Sequence, residues 1–265
     1  AALEQENALV EMKTFNKSND ADGKGTLNES EKKPNVIAIM NETFSDVQNI
    51  TAYLGGEMKT DISVTPFLDS LSNDAPNIIK GHALASVYGG NTANSELEFL
   101  TGQSIQFIPR NTVAYNLYLN ESNTFSIVNT FNNAGYRTIG MHPEKPINWQ
   151  RDKIYSYYDF DEIYFIDDFT DGLGEEGWFR DHVSDEAVYD KIISLFETKE
   201  ENDPFFTFAV TMQNHGGFTT AGFDYTVNIE GYENYTGIRE YLTCINNSDK
   251  ALEKLIEYFE NVEEE

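Results

Sequence analysis

Asn35-Val36-Ile37-Ala38-Ile39-Met40 is an unbroken apolar run of strand length, and Phe205-Phe206-Thr207-Phe208-Ala209-Val210-Thr211-Met212 is a second, far downstream. Runs that lack a polar alternation mark strands covered on both faces, as in a parallel sheet sandwiched by helices. Between them, Tyr136-Arg137-Thr138-Ile139-Gly140-Met141 reads as another strand, residues 78–87 as an extended segment and residues 162–166 as a short strand. Helices are expected in the intervals. Thr65 caps one that opens on Pro66 and runs to Leu71. Others cover residues 92–100, closed by Gly102, and residues 124–134, closed by Gly135. Ser184-Asp185-Glu186 caps another that runs to about Glu197, its acids near the positive end. Leu242, Ile245, Leu252, Leu255, Ile256 and Phe259 keep a helical period to the end of the chain. Strands alternating with helices predict an α/β domain with a mostly parallel sheet and helices on both faces.

Outside this region the chain is polar. Residues 1–33 read as a linker or juxtamembrane segment, with a short helix possible over residues 3–12. Residues 16–25 resemble a calcium loop at Asp20, Asp22 and Gly23, but their spacing fails the EF-hand pattern. The domain is therefore placed at residues 34–265.

The formal charge is −27, from 45 acidic and 18 basic residues. Such a surface repels a phosphate backbone and argues against nucleic-acid binding. The single cysteine, Cys244, rules out a disulfide within the chain and a Cys-based zinc site, and its apolar helical context marks it as a buried hydrophobe. No stretch reaches the roughly 18 apolar residues of a membrane span, and no signal peptide is visible.

In open α/β sheets, ligands bind beyond the carboxyl ends of the strands. That rule gathers Glu42, Thr92, His142, Asn214 and His215 at one edge. Glu42 reads either as a loop carboxylate or as a ligand for a hard divalent cation. Thr92 follows Tyr88-Gly89-Gly90-Asn91, a turn that brings backbone close to a ligand. It reads either as a helix cap or as a nucleophile whose hydroxyl a carboxylate-bound metal could activate. Arg151 has the forked donors to grip a phosphate, and Trp149 beside it can pack on a small polyol or instead fill a core. His215 can bond a phosphate oxygen or pass a proton, or merely cap local backbone. His82 reads as structural, and His182 is given no role.

Residues 35–46, 89–102, 135–161 and 211–218, taken together and in this order, resemble the extracellular catalytic domain of lipoteichoic acid synthase and related phosphoglycerol transferases. Those proteins form part of the sulfatase branch of the alkaline phosphatase-like superfamily, and the likeness covers residues 34–262. It implies an alkaline phosphatase/sulfatase-like fold. It also implies that Glu42 and Thr92 bind manganese, or magnesium, and that Thr92 is the nucleophile. His142, Trp149 and Arg151 then form a glycerophosphate pocket, with Asn91 beside it, and His215 contacts the phosphoryl group. The implied reaction moves glycerophosphate from a phosphatidylglycerol-like lipid, through a glycerophosphoryl-threonine, to a glycerophosphate polymer or glycan acceptor. An extracytoplasmic, membrane-proximal location, anchored by N-terminal helices outside this sequence, is implied as well.

Two departures qualify the resemblance. Asn91 stands where the family often has lysine. The family's Asp-His pair of further metal ligands should follow the last helix, yet no Asp-His pair occurs downstream of His215, and Asp181-His182 is misplaced. The expectation is a domain lacking its C-terminal part, holding metal poorly and catalytically silent as it stands. A phosphodiesterase or sulfatase-type hydrolase, and a non-catalytic lipid-headgroup sensor, are the alternatives. No C/S-x-P-x-R setting surrounds Thr92 or Cys244, which argues against sulfate hydrolysis.

Overall fold

The computed structural model describes residues 33–45, 47, 51, 56, 58–75, 77–83, 86–87, 90–120 and 124–262. The helix and linker expected within residues 1–32 lie outside the described residues, as do Tyr88 and Gly89. In chain order the elements are β1 (Val36–Met40), α1 (Pro66–Ser70), α2 (Thr92–Thr101), α3 (Ala114–Leu117), α4 (Ile127–Asn133), β2 (Arg137–Met141) and α5 (Arg151–Tyr157). Then follow β3 (Glu162–Tyr164), α6 (Ile166–Thr170), β4 (Trp178–Phe179), β5 (His182–Val183), α7 (Asp185–Glu197), β6 (Phe205–Val210) and α8 (Thr236–Glu260).

Four strands form a parallel sheet in the order β1-β6-β2-β3, with Val36 opposite Phe206, Arg137 opposite Phe205 and Ile139 opposite Glu162. β6 lies between β1 and β2 and is buried at every residue. Its side chains alternate between two cores, because successive strand residues point to opposite faces. Phe206, Phe208 and Val210 pack with Ala93, Leu97, Tyr115 and Ile154 from α2, α3 and α5. Phe205 and Ala209 pack with Val188, Ile192, Ala251 and Leu255 from α7 and α8. Burying one such large side chain contributes about 1.5–3 kcal/mol, so the two faces hold the helices on as a three-layer sandwich. The expected α/β architecture is thus present.

β1 packs on both cores as expected, with Val36, Ala38 and Met40 on one and Ile37 and Ile39 on the other, and is only partly buried because among the described strands it pairs with β6 alone. One expectation needs correction. Residues 78–83 form no strand. The backbone N–H and C=O of Lys80 are used by the side-chain amide of Asn73 instead of a ladder, and Ile79 is fully exposed.

One glycine seats a helix that matters below. A Cβ on Gly140, in β2, would come within 3.0 Å of the Tyr155 ring and 3.2 Å of the Phe160 ring. The absence of a side chain there lets α5 lie close on the sheet.

Candidate functional site

Beyond the carboxyl ends of β1, β2 and β6 lies a cleft of about 380 Å³. Glu42, Asn91, Thr92 and His142 line it, together with Trp149, Arg151 and His215. All seven site residues expected from the sequence therefore share one cavity, although Thr92 arrives from a loop and not from a strand.

Glu42 is held where β1 and β6 end together. Thr211 donates its N–H to the Met40 carbonyl at 3.1 Å, and the Glu42 N–H donates to Thr211 Oγ1 at 3.2 Å. The carboxylate is buried, and its Oε2 accepts the Thr92 hydroxyl at 2.9 Å while Oε1 accepts from Thr43 at 2.9 Å. Thr92 is the first residue of α2. Gly90 (φ +89°) and Asn91 (φ 62°) take left-handed conformations before it, which suits glycine and asparagine and turns the chain sharply into the helix. Asn91 makes no side-chain cap bond and lines the cleft.

One helical turn below Thr92, Glu96 is fully buried and forms an ion pair with Arg151 at the start of α5. Arg151 Nε lies 3.1 Å and 3.2 Å from the two carboxylate oxygens, and Nη2 lies 2.5 Å from Oε1. The hydroxyls of Tyr155, at 3.0 Å, and Tyr115, at 3.3 Å, also donate to Glu96 Oε2. Burial works against both charges. The pairing outweighs it, lowering the Glu96 pKa and raising that of Arg151. Of the guanidinium, only Nη1 lies apart from the carboxylate, 3.4 Å from the Asn148 carbonyl. Trp149 and Gln150, just before α5, are consecutive non-glycine residues at φ 56°, a strained conformation of the kind that clusters at functional sites. The Trp149 ring is 37% exposed rather than in the core.

His142 is almost wholly buried, and its Nδ1 lies 3.1 Å from the Val210 carbonyl. A carbonyl only accepts, so Nδ1 carries the proton and Nε2 offers a lone pair. Burial, and then Arg151 nearby, depress its pKa to about 3, so the ring is neutral at ordinary pH.

His215 is exposed, on the loop that follows β6. Arg180 anchors that loop. Its guanidinium donates to the carbonyls of His215 at 3.0 Å and Gly217 at 3.3 Å, pairs with Glu240 at 2.9 Å and lies over the Phe218 ring. Glu240 in turn accepts the Thr220 N–H and hydroxyl at 3.0 and 2.6 Å. His182, given no role from sequence, packs its ring edge-to-face on His215 with centroids 5.7 Å apart. Asn214 does not reach the cleft lining. It is buried in a polar network, donating to Asn41 and Ser248. In the same network Asp185 Oδ2 accepts from Asn41 and Ser248, while Oδ1 has no partner. Burial raises the Asp185 pKa to about 6 against those hydrogen bonds. Cys244 is buried as expected, and burial lifts its thiol pKa to about 11.

The sequence reading missed Glu96, Arg180 and Glu240. Glu96 lies inside the helix expected over residues 92–100, and its position one turn from Thr92 was the available signal.

Glu42 and the Thr92 hydroxyl are hard oxygen donors side by side, and the cleft around them is acidic. Glu42 and Glu144 line it, while its one arginine is already matched by Glu96. This set fits a divalent cation, but it supplies fewer than the roughly six donors that a hard ion takes. Among the described residues no three His, Cys, Asp or Glu side chains come together to hold a metal.

The sheet, its helix layers and the position of the cleft define an α/β protein of the alkaline phosphatase-like fold. The chain belongs to the Sulfatase family, which it matches over residues 34–265. A Rhizobium meliloti protein named for cyclic beta-1,2-glucan modification is 28% identical over 230 residues, 85% of this chain and 33% of that protein. The lipoteichoic acid synthase of Staphylococcus aureus is 24% identical over 271 residues, 96% of this chain and 38% of that protein. The Streptococcus pyogenes phosphoglycerol transferase solved with sn-glycerol-1-phosphate superposes with a TM-score of 0.69 at 20% identity, over 88% of this chain and 59% of that one. The chain thus spans well under half the length of these two sequence relatives. No helix among the described residues is long and apolar enough to cross a membrane.

Proposed function

We propose that this domain belongs to a phosphoglycerol transferase that moves glycerophosphate from a phosphatidylglycerol-like lipid to a cell-envelope polymer, with Thr92 as nucleophile. The observation that carries the reading is the Thr92 hydroxyl on Glu42 at 2.9 Å, inside a cleft that also holds His142, Trp149, Arg151 and His215. Thr92 Oγ forms the new bond to phosphorus as the bond to the diacylglycerol oxygen breaks. The acceptor hydroxyl then reverses the step and releases the threonine. The N-terminus of α2 faces the developing charge. Arg151 Nη1 and neutral His142 orient the glycerophosphate, Trp149 packs on its glycerol, and His215 protonates the departing oxygen or bonds the phosphoryl group.

Manganese or magnesium held by Glu42 and Thr92 would supply the positive charge that favours the alkoxide and offsets the acidic cleft. We take the 265-residue chain alone to bind such an ion weakly and to be inactive, because two donors do not make a tight site. Calorimetric titration with manganese should show no submicromolar binding; tight binding abolished by Glu42→Gln would refute this. The donor and acceptor place the complete protein at the outer face of a membrane.

Mass spectrometry of the full-length protein after incubation with phosphatidylglycerol and manganese tests the nucleophile. A glycerophosphoryl adduct is expected on Thr92 and is absent in Thr92→Ala. An adduct that persists in the variant overturns the assignment, and free glycerophosphate without transfer converts the reading to a hydrolase.

A further inference from the structure

A second, larger cleft of about 930 Å³ shares none of its lining with the first. Two of its lining residues, Tyr232 and Tyr235, are 56% and 63% exposed, with ring centroids 5.5 Å apart at 62°. Solvent-exposed tyrosines at this density are unusual unless something covers them. The backbone that carries both rings is tied in place. The Tyr232 N–H donates to the Ile229 carbonyl at 3.1 Å, and the Tyr235 N–H donates to the Tyr232 carbonyl at 3.0 Å. Glu233, between them, accepts the Gly231 N–H through its carboxylate at 3.0 Å and Arg239 Nη1 through its carbonyl at 2.9 Å. Ile229 is buried beneath and pairs with Thr60 across a bridge. The two rings therefore meet on a tied turn, which spares a ligand the cost of ordering that backbone.

The chemistry of the lining selects the ligand. Lys59, Glu230, Asn234 and Thr236 line the cleft with the two tyrosines. One positive and one negative side chain leave the lining neutral, in a chain whose net charge of −27 disfavours a polyanion. An acyl chain would leave the amide, hydroxyl and charged groups without partners. A sugar satisfies both halves. The C–H face of a pyranose packs on tyrosine, and its hydroxyls exchange hydrogen bonds with mixed donors and acceptors. A short chain of contacts links the cleft to the first one. Ile238, in its wall, lies one turn before Tyr241 on α8, and the Tyr241 hydroxyl donates at 3.0 Å to the carbonyl of Thr43, the neighbour of Glu42.

We propose that this cleft is a saccharide-binding subsite, which grips the neutral sugar part of an acceptor while the first cleft handles the phosphoryl group. The acceptor role rests on the transferase reading above; the binding of sugar does not.

The test is an array of neutral oligosaccharides, β-1,2-linked glucans included, probed with this chain, its Tyr232→Ala and Tyr235→Ala variants and Thr92→Ala. Circular dichroism confirms that each variant folds. At least one glycan class should bind, lose about tenfold or more in affinity with either tyrosine variant, and be unaffected by Thr92→Ala. Titration with glycerol 1-phosphate should not respond to the tyrosine variants. No glycan bound, binding indifferent to both tyrosines, or glycerol 1-phosphate binding that falls with them overturns the subsite. Sugar binding by this chain together with no adduct on Thr92 in the full-length protein keeps the subsite and removes the transferase reading instead.

Discussion

Two walls of the cleft are each held by a buried arginine–glutamate pair, and the pairs work differently. On the Thr92 wall, Arg151 and Glu96 satisfy mainly each other and join α2 to α5, with two tyrosine hydroxyls completing the carboxylate. On the His215 wall, Arg180 gives its donors to backbone carbonyls, and Glu240 accepts from the Thr220 N–H and hydroxyl, so the pair shapes a loop. The first arrangement fixes the Thr92 hydroxyl at the start of a packed helix. The second fixes the path of a loop and leaves His215 exposed, its ring against His182. The roles proposed for Thr92 and His215, nucleophile and proton carrier, call for a fixed atom and an accessible ring respectively.

The largest expected effect tests the first pair. Arg151→Met leaves the Glu96 carboxylate buried without its counter-charge, and should cost about 3–5 kcal/mol in chemical denaturation. Adding Glu96→Leu should recover much of that loss. A single-variant cost near zero would break the distinction between the walls.

The walls should also differ in the sign of their pH response. His142, beside Arg151, has a folded pKa of about 3 against an ordinary 6.5, so its stabilising contribution is full above pH 6.5 and is lost as pH falls toward 3. Asp185 lies behind the His215 loop, where its N–H donates to Gln213 Oε1 at 3.0 Å. Its folded pKa of about 6 exceeds the ordinary 3.8, so its contribution is full below 3.8 and is lost as pH rises to 6. Between about pH 4 and 6 the two slopes, each about 1.4 kcal/mol per pH unit, oppose each other. Asp185→Asn should therefore expose a steeper loss of stability toward acid, by about 3 kcal/mol over that window, and His142→Asn the reverse. Denaturation curves across the window check both, and parallel shifts in the two variants would contradict the assignment.

Arg180→Lys should cost less, about 2 kcal/mol, since a lysine cannot serve several carbonyls at once. Hydrogen exchange should quicken over residues 213–220 and stay unchanged over residues 92–101. The smallest effect comes from Gly140→Ala, about 1 kcal/mol or slightly more, as the Tyr155 and Phe160 rings give way and α5 shifts. Its signature should be a weaker response at Thr92 than at Arg151 in side-chain spectra.

Much of this frame was legible in the chain. β2, β6, the ends of α2 and α7 and the apolar stripe of α8 follow from apolar runs, helical period and caps, which are local signals: Ser184 accepts from the Ala187 N–H at 3.1 Å, and Gly102 ends α2 in a left-handed turn. The segment at residues 78–83 misled because apolar content alone does not reveal whether a partner strand exists. The seven cleft residues were found by asking which side chains follow strands, and by resemblance. Glu96 with Arg151, and Arg180 with Glu240, were not found. Their partners lie dozens of residues apart, and nothing in the spacing of a single sequence encodes which buried charges meet.

The sheet order has a consequence for biogenesis. Of the four described strands of the sheet β6 comes last in the chain, yet it lies between β1 and β2. A nascent chain that has emerged only as far as α7 therefore holds strands that bracket an empty slot, with open edges facing it. The contacts that fill this slot join residues as distant as Val36 and Phe206, pairings that close slowly. Glu42 takes its backbone partner from Thr211, so the carboxylate beside Thr92 reaches its final position only after that insertion. Insertion of β6 and positioning of the Glu42 carboxylate are thus one event on the ribosome's timetable, and a chain stalled before β6 does not hold the Thr92 hydroxyl against a fixed carboxylate.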